Sequence, residues 1–70
     1  MEKVYSTRQA AGILQIKPDL LQKGIWQGKV TPPAKGPSGN YLWTVRDIEA
    51  AAWVMKRYPQ FKRWQEGGAA

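Results

Sequence analysis

Residues 6–28 read STRQAAGILQIKPDLLQKGIWQG, and the fold turns on how this stretch divides. Ser6 followed three residues later by Gln9 matches a capping box, in which each side chain covers the other's free backbone N–H. A first helix starts here, with Ala10, Ala11, Ile13 and Leu14 as an apolar stripe at helical spacing. The two alanines are small enough to let another helix approach closely. Pro18 cannot sit in a helix interior and disfavours helical geometry at Lys17, so the first helix stops near Gln15. Pro18 suits the first turn of a new helix, and Asp19 then falls near its positive end. A second helix is predicted from Pro18 to about Gln27. Leu21 and Ile25 form its core stripe, and Ile16 packs from the turn. Gly28 fits the left-handed position beyond its last turn. Gly24 inside this helix costs about 1 kcal/mol against alanine and weakens its continuity.

Outward from this unit, Met1 to Tyr5 has short, strand-like character. Lys29 to Asn40 is of another kind, because Thr31-Pro32-Pro33 cannot be helical and Lys35-Gly36-Pro37-Ser38-Gly39-Asn40 is turn-rich. Val30 before it and Tyr41-Leu42-Trp43 after it favour strands, which predicts a β-hairpin with an irregular tip and with Tyr41 and Trp43 on one face. Thr44 and Asp47 restart a helix as cap and acidic capping-box partner. Val45, Ile48, Ala52 and Met55 form its stripe, and it should end at about Arg57, ahead of Pro59. Trp53 and Val54 lie off that stripe. Phe61 and Trp64, three apart in the tail, could cover them by folding back as a short C-terminal helix. Gly67-Gly68-Ala69-Ala70 reads as a linker or chain end, so residues 1–66 form the domain and the chain could belong to a larger parent.

The 70 residues carry eleven Lys and Arg against five Asp and Glu, a formal charge of +6. That balance points to a polyanionic partner, nucleic acid first and an anionic membrane surface second. The apolar residues are distributed over capped helices and a hairpin, which argues for a folded core and against a membrane-surface peptide. No apolar run approaches the ~18 residues of a membrane span. Cysteine and histidine are both absent, which excludes disulfides, Cys/His zinc sites and Cys-His or Ser-His catalytic pairs. The few acidic residues sit at helix caps and termini with no acid–base pair among them. The expectation is no enzyme, no cofactor, no metal and no small-molecule substrate.

The order helix, tight turn, helix, β-hairpin, helix describes an α+β winged helix-turn-helix, in which the second helix enters the major groove of double-stranded DNA. The stretch Tyr5 to Ile16, with its capped helix, alanine pair and leucine, resembles the opening of MerR-like winged-helix domains, a group that includes transcription regulators and excisionases. Ile25, Gly28-Lys29-Val30 and Pro32 look like that family's passage from recognition helix to wing, and Tyr41-Leu42-Trp43-Thr44 with Asp47-Ile48 is similar to its second wing strand and following helix. The resemblance spans about residues 4–55. The chain departs from the pattern at Lys17, where a Ser or Thr cap is usual, at Gly24, where a bulky residue is frequent, at Leu20, where a polar residue is usual, and at a wing tip without an arginine cluster. The resemblance implies a phage, plasmid or bacterial transcription regulator or an excisionase-like recombination factor. The implied location is cytoplasmic and nucleoid-associated, in a bacterial or phage-infected cell. No long heptad-patterned helix follows, so the coiled-coil dimerisation of full-length MerR-type regulators is not expected, which leaves cooperative self-association on repeated DNA sites or a larger parent chain as the alternatives.

The candidate contacts follow from this placement. Gln22 and Lys23 lie outward on the second helix (about 18–27), where they suit base-edge or phosphate hydrogen bonding, Gln to adenine and Lys to guanine. Lys17 could hold phosphate, and Asp19 could accept from cytosine N4 or simply partner the helix dipole. Thr7 and Arg8 open the first helix toward phosphate. Lys29, Lys35, Ser38 and Asn40 belong to the wing (about 30–43), against the backbone or the minor groove. Arg46 opposes its own helix dipole, which a phosphate contact or a salt bridge could offset. For each of these the plain alternative is a solvated face or a turn chosen for its geometry. Tyr41 and Trp43 read as core. The competing function is a protein-interaction adaptor that presents an exposed Trp53, Phe61 and Trp64 patch.

Overall fold

The computed structural model describes residues 3–68. Four helices follow one another: α1 (Thr7–Leu14), α2 (Pro18–Trp26), α3 (Val45–Val54) and α4 (Tyr58–Arg63), which runs into a π-helical turn over Trp64–Gly68. Helix α1 lies at the centre and packs against α2, α3 and α4, and α3 also packs against α4.

The N-termini form as their sequences dictate. Ser6 Oγ accepts from Gln9 N at 3.1 Å while Ser6 N donates to Gln9 Oε1 at 2.9 Å. At α3, Thr44 N donates to Asp47 Oδ2 and Asp47 N to Thr44 Oγ1, at 3.1 and 3.2 Å. Helix α2 has Pro18 in its first turn and no side-chain cap from Lys17. The C-termini share one device. Ile16 N donates to Ala11 O, Lys29 N to Gly24 O and Arg57 N to Ala52 O, at 2.9, 2.9 and 2.8 Å. Each closes the helix around a left-handed residue, Gln15 (φ 57°), Gly28 (φ 77°) and Lys56 (φ 58°), in Schellman geometry. The left-handed turn at Lys56 is why α3 ends at Val54, short of the expected Arg57.

The core holds Ala10, Ala11 and Leu14 of α1, Leu21 of α2, Ile48, Ala51 and Ala52 of α3, and Phe61 of α4, with Val30 and Trp43 from the connecting segment. The alanine pairs on α1 and α3 let helix backbones come close. Gly24 leaves α2 unbroken, contrary to the weakening expected of it. It is buried, and a Cβ there would lie 3.0 Å from Val30 Cγ2 and 3.6 Å from Met55 Sδ. The missing side chain makes room for Val30.

The expected α+β winged helix-turn-helix is corrected here: among the described residues there is no β-strand and no sheet, and the domain is mostly helical. The described residues hold two isolated antiparallel bridges, Tyr5 with Trp43 and Lys35 with Tyr41. The first arm of the expected hairpin fails for a physical reason. Pro32 and Pro33 have no N–H to donate, and Val30 N is already bonded to Gly24 O at 3.1 Å. Trp43 meanwhile exchanges both backbone bonds with Tyr5, each 2.8 Å. Residues 34–42 therefore form a loop, pinned by Leu42 N to Ala34 O (2.7 Å) and Gly36 N to Asn40 O (2.8 Å). Gly39 takes the positive φ of 83° that its turn requires.

The tail folds back as a short helix, but with another division of labour than expected. Phe61 is fully buried, Trp64 meets Tyr5 in a T-shaped contact with centroids 5.7 Å apart, and it is Tyr58 that stacks on Trp53, at 4.0 Å and 16°. Buried Phe61 therefore cannot belong to an exposed patch with Trp53 and Trp64. The strand character expected for Met1 to Tyr5 reduces to the single bridge at Tyr5, with Met1 and Glu2 outside the described residues. Of the expected linker, Gly67 and Gly68 complete the π turn, and Ala69 and Ala70 lie outside the described residues.

Candidate nucleic-acid interface

Helix α2 turns one side to the core and one to water. Leu21 and Gly24 are buried and Ile25 is half-buried. At about 100° per residue, Asp19, Gln22, Lys23 and Trp26 share the opposite face, and all four are exposed. The nine residues of α2 make a rod of about 13 Å, on a domain only 17 Å across its thinnest dimension.

Beside Gln22 and Trp26 opens a cleft of about 680 Å3. Its other walls come from the start of α1 (Ser6, Thr7, Arg8) and from the loop (Lys35, Gly39, Asn40, Tyr41). Three segments distant in sequence thus bring two cations, two primary amides and an indole to one concave surface. Arg8, Gln22 and Lys35 are exposed, and among the described residues none of the three makes a side-chain hydrogen bond. The Lys35 ammonium lies over the Tyr41 ring, 5.3 Å from its centroid. Thr7 has a structural duty as well: its Oγ1 accepts from Trp43 Nε1 at 2.9 Å, which fixes the start of α1 against the segment leading into α3. Asn40 Nδ2 approaches Ser38 Oγ at 3.4 Å, a long contact that leaves the amide largely available.

On the other flank of the outward face of α2, Leu20, Lys23, Gln27 and Lys29 border a second depression of about 270 Å3, floored by Gly24 and Met55. The helix is thus bordered by cations on both sides, Arg8 and Lys35 on one and Lys23 and Lys29 on the other.

No protein-family model, no curated protein and no solved structure matches the chain. The site is read from its own chemistry.

Of the residues singled out from sequence, Thr7, Arg8, Gln22, Lys35 and Asn40 line the main cleft, and Lys23 and Lys29 line the second flank. Lys17 and Asp19 are exposed at the start of α2 and line neither. Ser38 is at the loop tip, and Arg46 is exposed in the first turn of α3, outside both depressions. Trp26, which also lines the main cleft, is not among the residues singled out from sequence; it is 77% exposed and lies outside the core. The signal was present: Trp26 follows Gln22 by four residues, so the two share a helix face. No helix among the described residues is long and apolar enough to cross a membrane.

Proposed function

We propose that the chain binds double-stranded DNA sequence-specifically, with α2 in the major groove and the loop 34–42 and the start of α1 against one backbone. The observation that carries this reading is the pair of cationic borders along α2. A duplex groove has a phosphate backbone on each side, and the major groove, about 12 Å wide, admits a helix. A single anionic ligand would need only one of the borders. Phosphate contacts set register, and base edges supply sequence information. Arg8, Lys23, Lys29 and Lys35 serve as the phosphate contacts. Gln22 and Asn40, whose amides both donate and accept, serve as candidate base readers. The helix–turn–helix half of the MerR-like resemblance supports the reading, whereas its wing half has no strands to correspond to.

Four phosphate contacts predict that log affinity falls against log salt with a slope of about −3.6. Binding of a fluorescent duplex, followed by anisotropy from 50 to 200 mM salt, tests this. The expected loss is roughly 150-fold over that range. Gln22→Ala should flatten the preference among duplex sequences while leaving the slope in place. A slope near zero, or a Gln22→Ala variant with unaltered preference, removes α2 from the interface.

A further inference from the structure

We propose that Trp26 reads thymine, its indole covering the C5-methyl group of one thymine in the major groove. This rests on the duplex-binding reading above and adds the identity of a base to it. Trp26 closes the last turn of α2 with 77% of its surface in water. Among the described residues no aromatic ring pairs with it. Its surroundings are cationic and amide-bearing, with Arg8, Lys35, Gln22 and Asn40 in the same cleft. That setting fits a partner that is anionic at its rim and offers small apolar groups within, and the thymine methyl is the apolar group a base edge presents in the major groove. Gln22 stands one turn earlier on the same face, about 6 Å away along the axis, which is roughly two steps of a DNA strand. Gln suits adenine N6 and N7, so the two side chains together call for A·T pairs where α2 lies.

Stacking on an unpaired base is the competing use of an exposed indole. The cleft is poorly built for it. The one other ring in its wall, Tyr41, is half-buried against the core, and the Lys35 ammonium lies over it. No second ring is therefore free to close a sandwich.

The test starts from a duplex enriched from a random pool by the wild-type chain. Each thymine in it is replaced singly by deoxyuridine, which removes only the methyl group. Wild type should lose roughly fourfold in affinity at one thymine, the value of one buried methyl, and almost nothing at the others. Trp26→Ala, whose side chain supports no core contact, should bind the parent duplex more weakly and show no further loss at that thymine. Wild-type indifference to every replacement, or an equal loss in Trp26→Ala, overturns the assignment while leaving duplex binding intact. Tighter binding to either single strand than to the duplex overturns it in favour of stacking. A pool with no enriched duplex overturns the duplex reading and this inference with it.

Discussion

Along the α3–α4 side, Trp53 stacks on Tyr58 at 4.0 Å, Tyr58 and Phe61 lie 5.9 Å apart, Phe61 and Trp64 likewise 5.9 Å, and Trp64 meets Tyr5 in a T-shaped contact at 5.7 Å. Beside α2, Trp26 lies among amides and cations and, among the described residues, pairs with no other ring. Both regions expose an indole, Trp53 at 63% and Trp26 at 77%. What separates them is partnership. Five rings in sequence tie the C-terminal helix to the N-terminal segment, and such contacts contribute about 0.5–1.5 kcal/mol per pair beyond burial. The ring on α2 lies outside the core, and among the described residues the side chains of Arg8 and Lys35 beside it make no side-chain hydrogen bond. One region spends its aromatic surface on stability, and the other keeps it for contact.

The sharpest way to break this contrast is in the middle of the ring series. Phe61→Ala should cost about 3–5 kcal/mol, as much as a domain of this size is expected to have, so circular dichroism should find the variant largely unfolded at 25 °C. Cooperative urea unfolding with a loss under about 1 kcal/mol would show that the series is not what ties the tail down. The counterpart in the cleft is Arg8→Ala with Lys35→Ala. Each lost phosphate contact should reduce the salt slope by about 0.9, a combined change of about 1.8, with the thermal midpoint unmoved. An unchanged slope would take the cleft off the backbone. Next in size is Trp53→Ala, expected to cost about 1 kcal/mol in urea unfolding and to leave duplex affinity as it was. A fall in affinity there would erase the division between the regions. The smallest effect is expected at Lys56→Gly, which removes the side chain from a left-handed position and should stabilise by about 0.5–1 kcal/mol. Destabilisation would mean that the Lys56 side chain contributes more than its backbone costs.

The helix starts could be read from residues whose chemistry is local. Ser6 with Gln9, Thr44 with Asp47, and Pro18 each satisfy or remove N–H groups within one turn, and all three helices begin where these residues stand. At the ends, Pro18 marks the stop of α1 near Gln15 and Gly28 announces its own left-handed conformation, whereas Lys56 adopts that conformation with an ordinary side chain, and α3 ends three residues short of the expected Arg57. The hairpin was misread because its residues favour extended backbone while the donors it needed were absent or already engaged. Pro32 and Pro33 have none, and Val30 had given its own to Gly24. Side-chain propensity does not record where a backbone N–H is spent. Within the site, Gln22, Lys23 and Arg8 followed from helix phase. The meeting of Arg8 with Lys35 and Asn40 depends on how the loop returns across α1, which no local pattern encodes.

The four indole N–H groups offer the most direct test, since each gives one resolved proton–nitrogen NMR signal and each belongs to a different environment. Trp43 is bonded to Thr7, Trp64 packs on Tyr5, Trp53 stacks on Tyr58, and Trp26 lies open beside Gln22. On titration with a DNA duplex, the signal of Trp26 should shift, together with the backbone amides of Arg8, Gln22, Lys23, Lys29, Lys35 and Asn40, while Trp53 stays in place. A shift of Trp53 with Trp26 unmoved would place the partner on the opposite region and contradict the account.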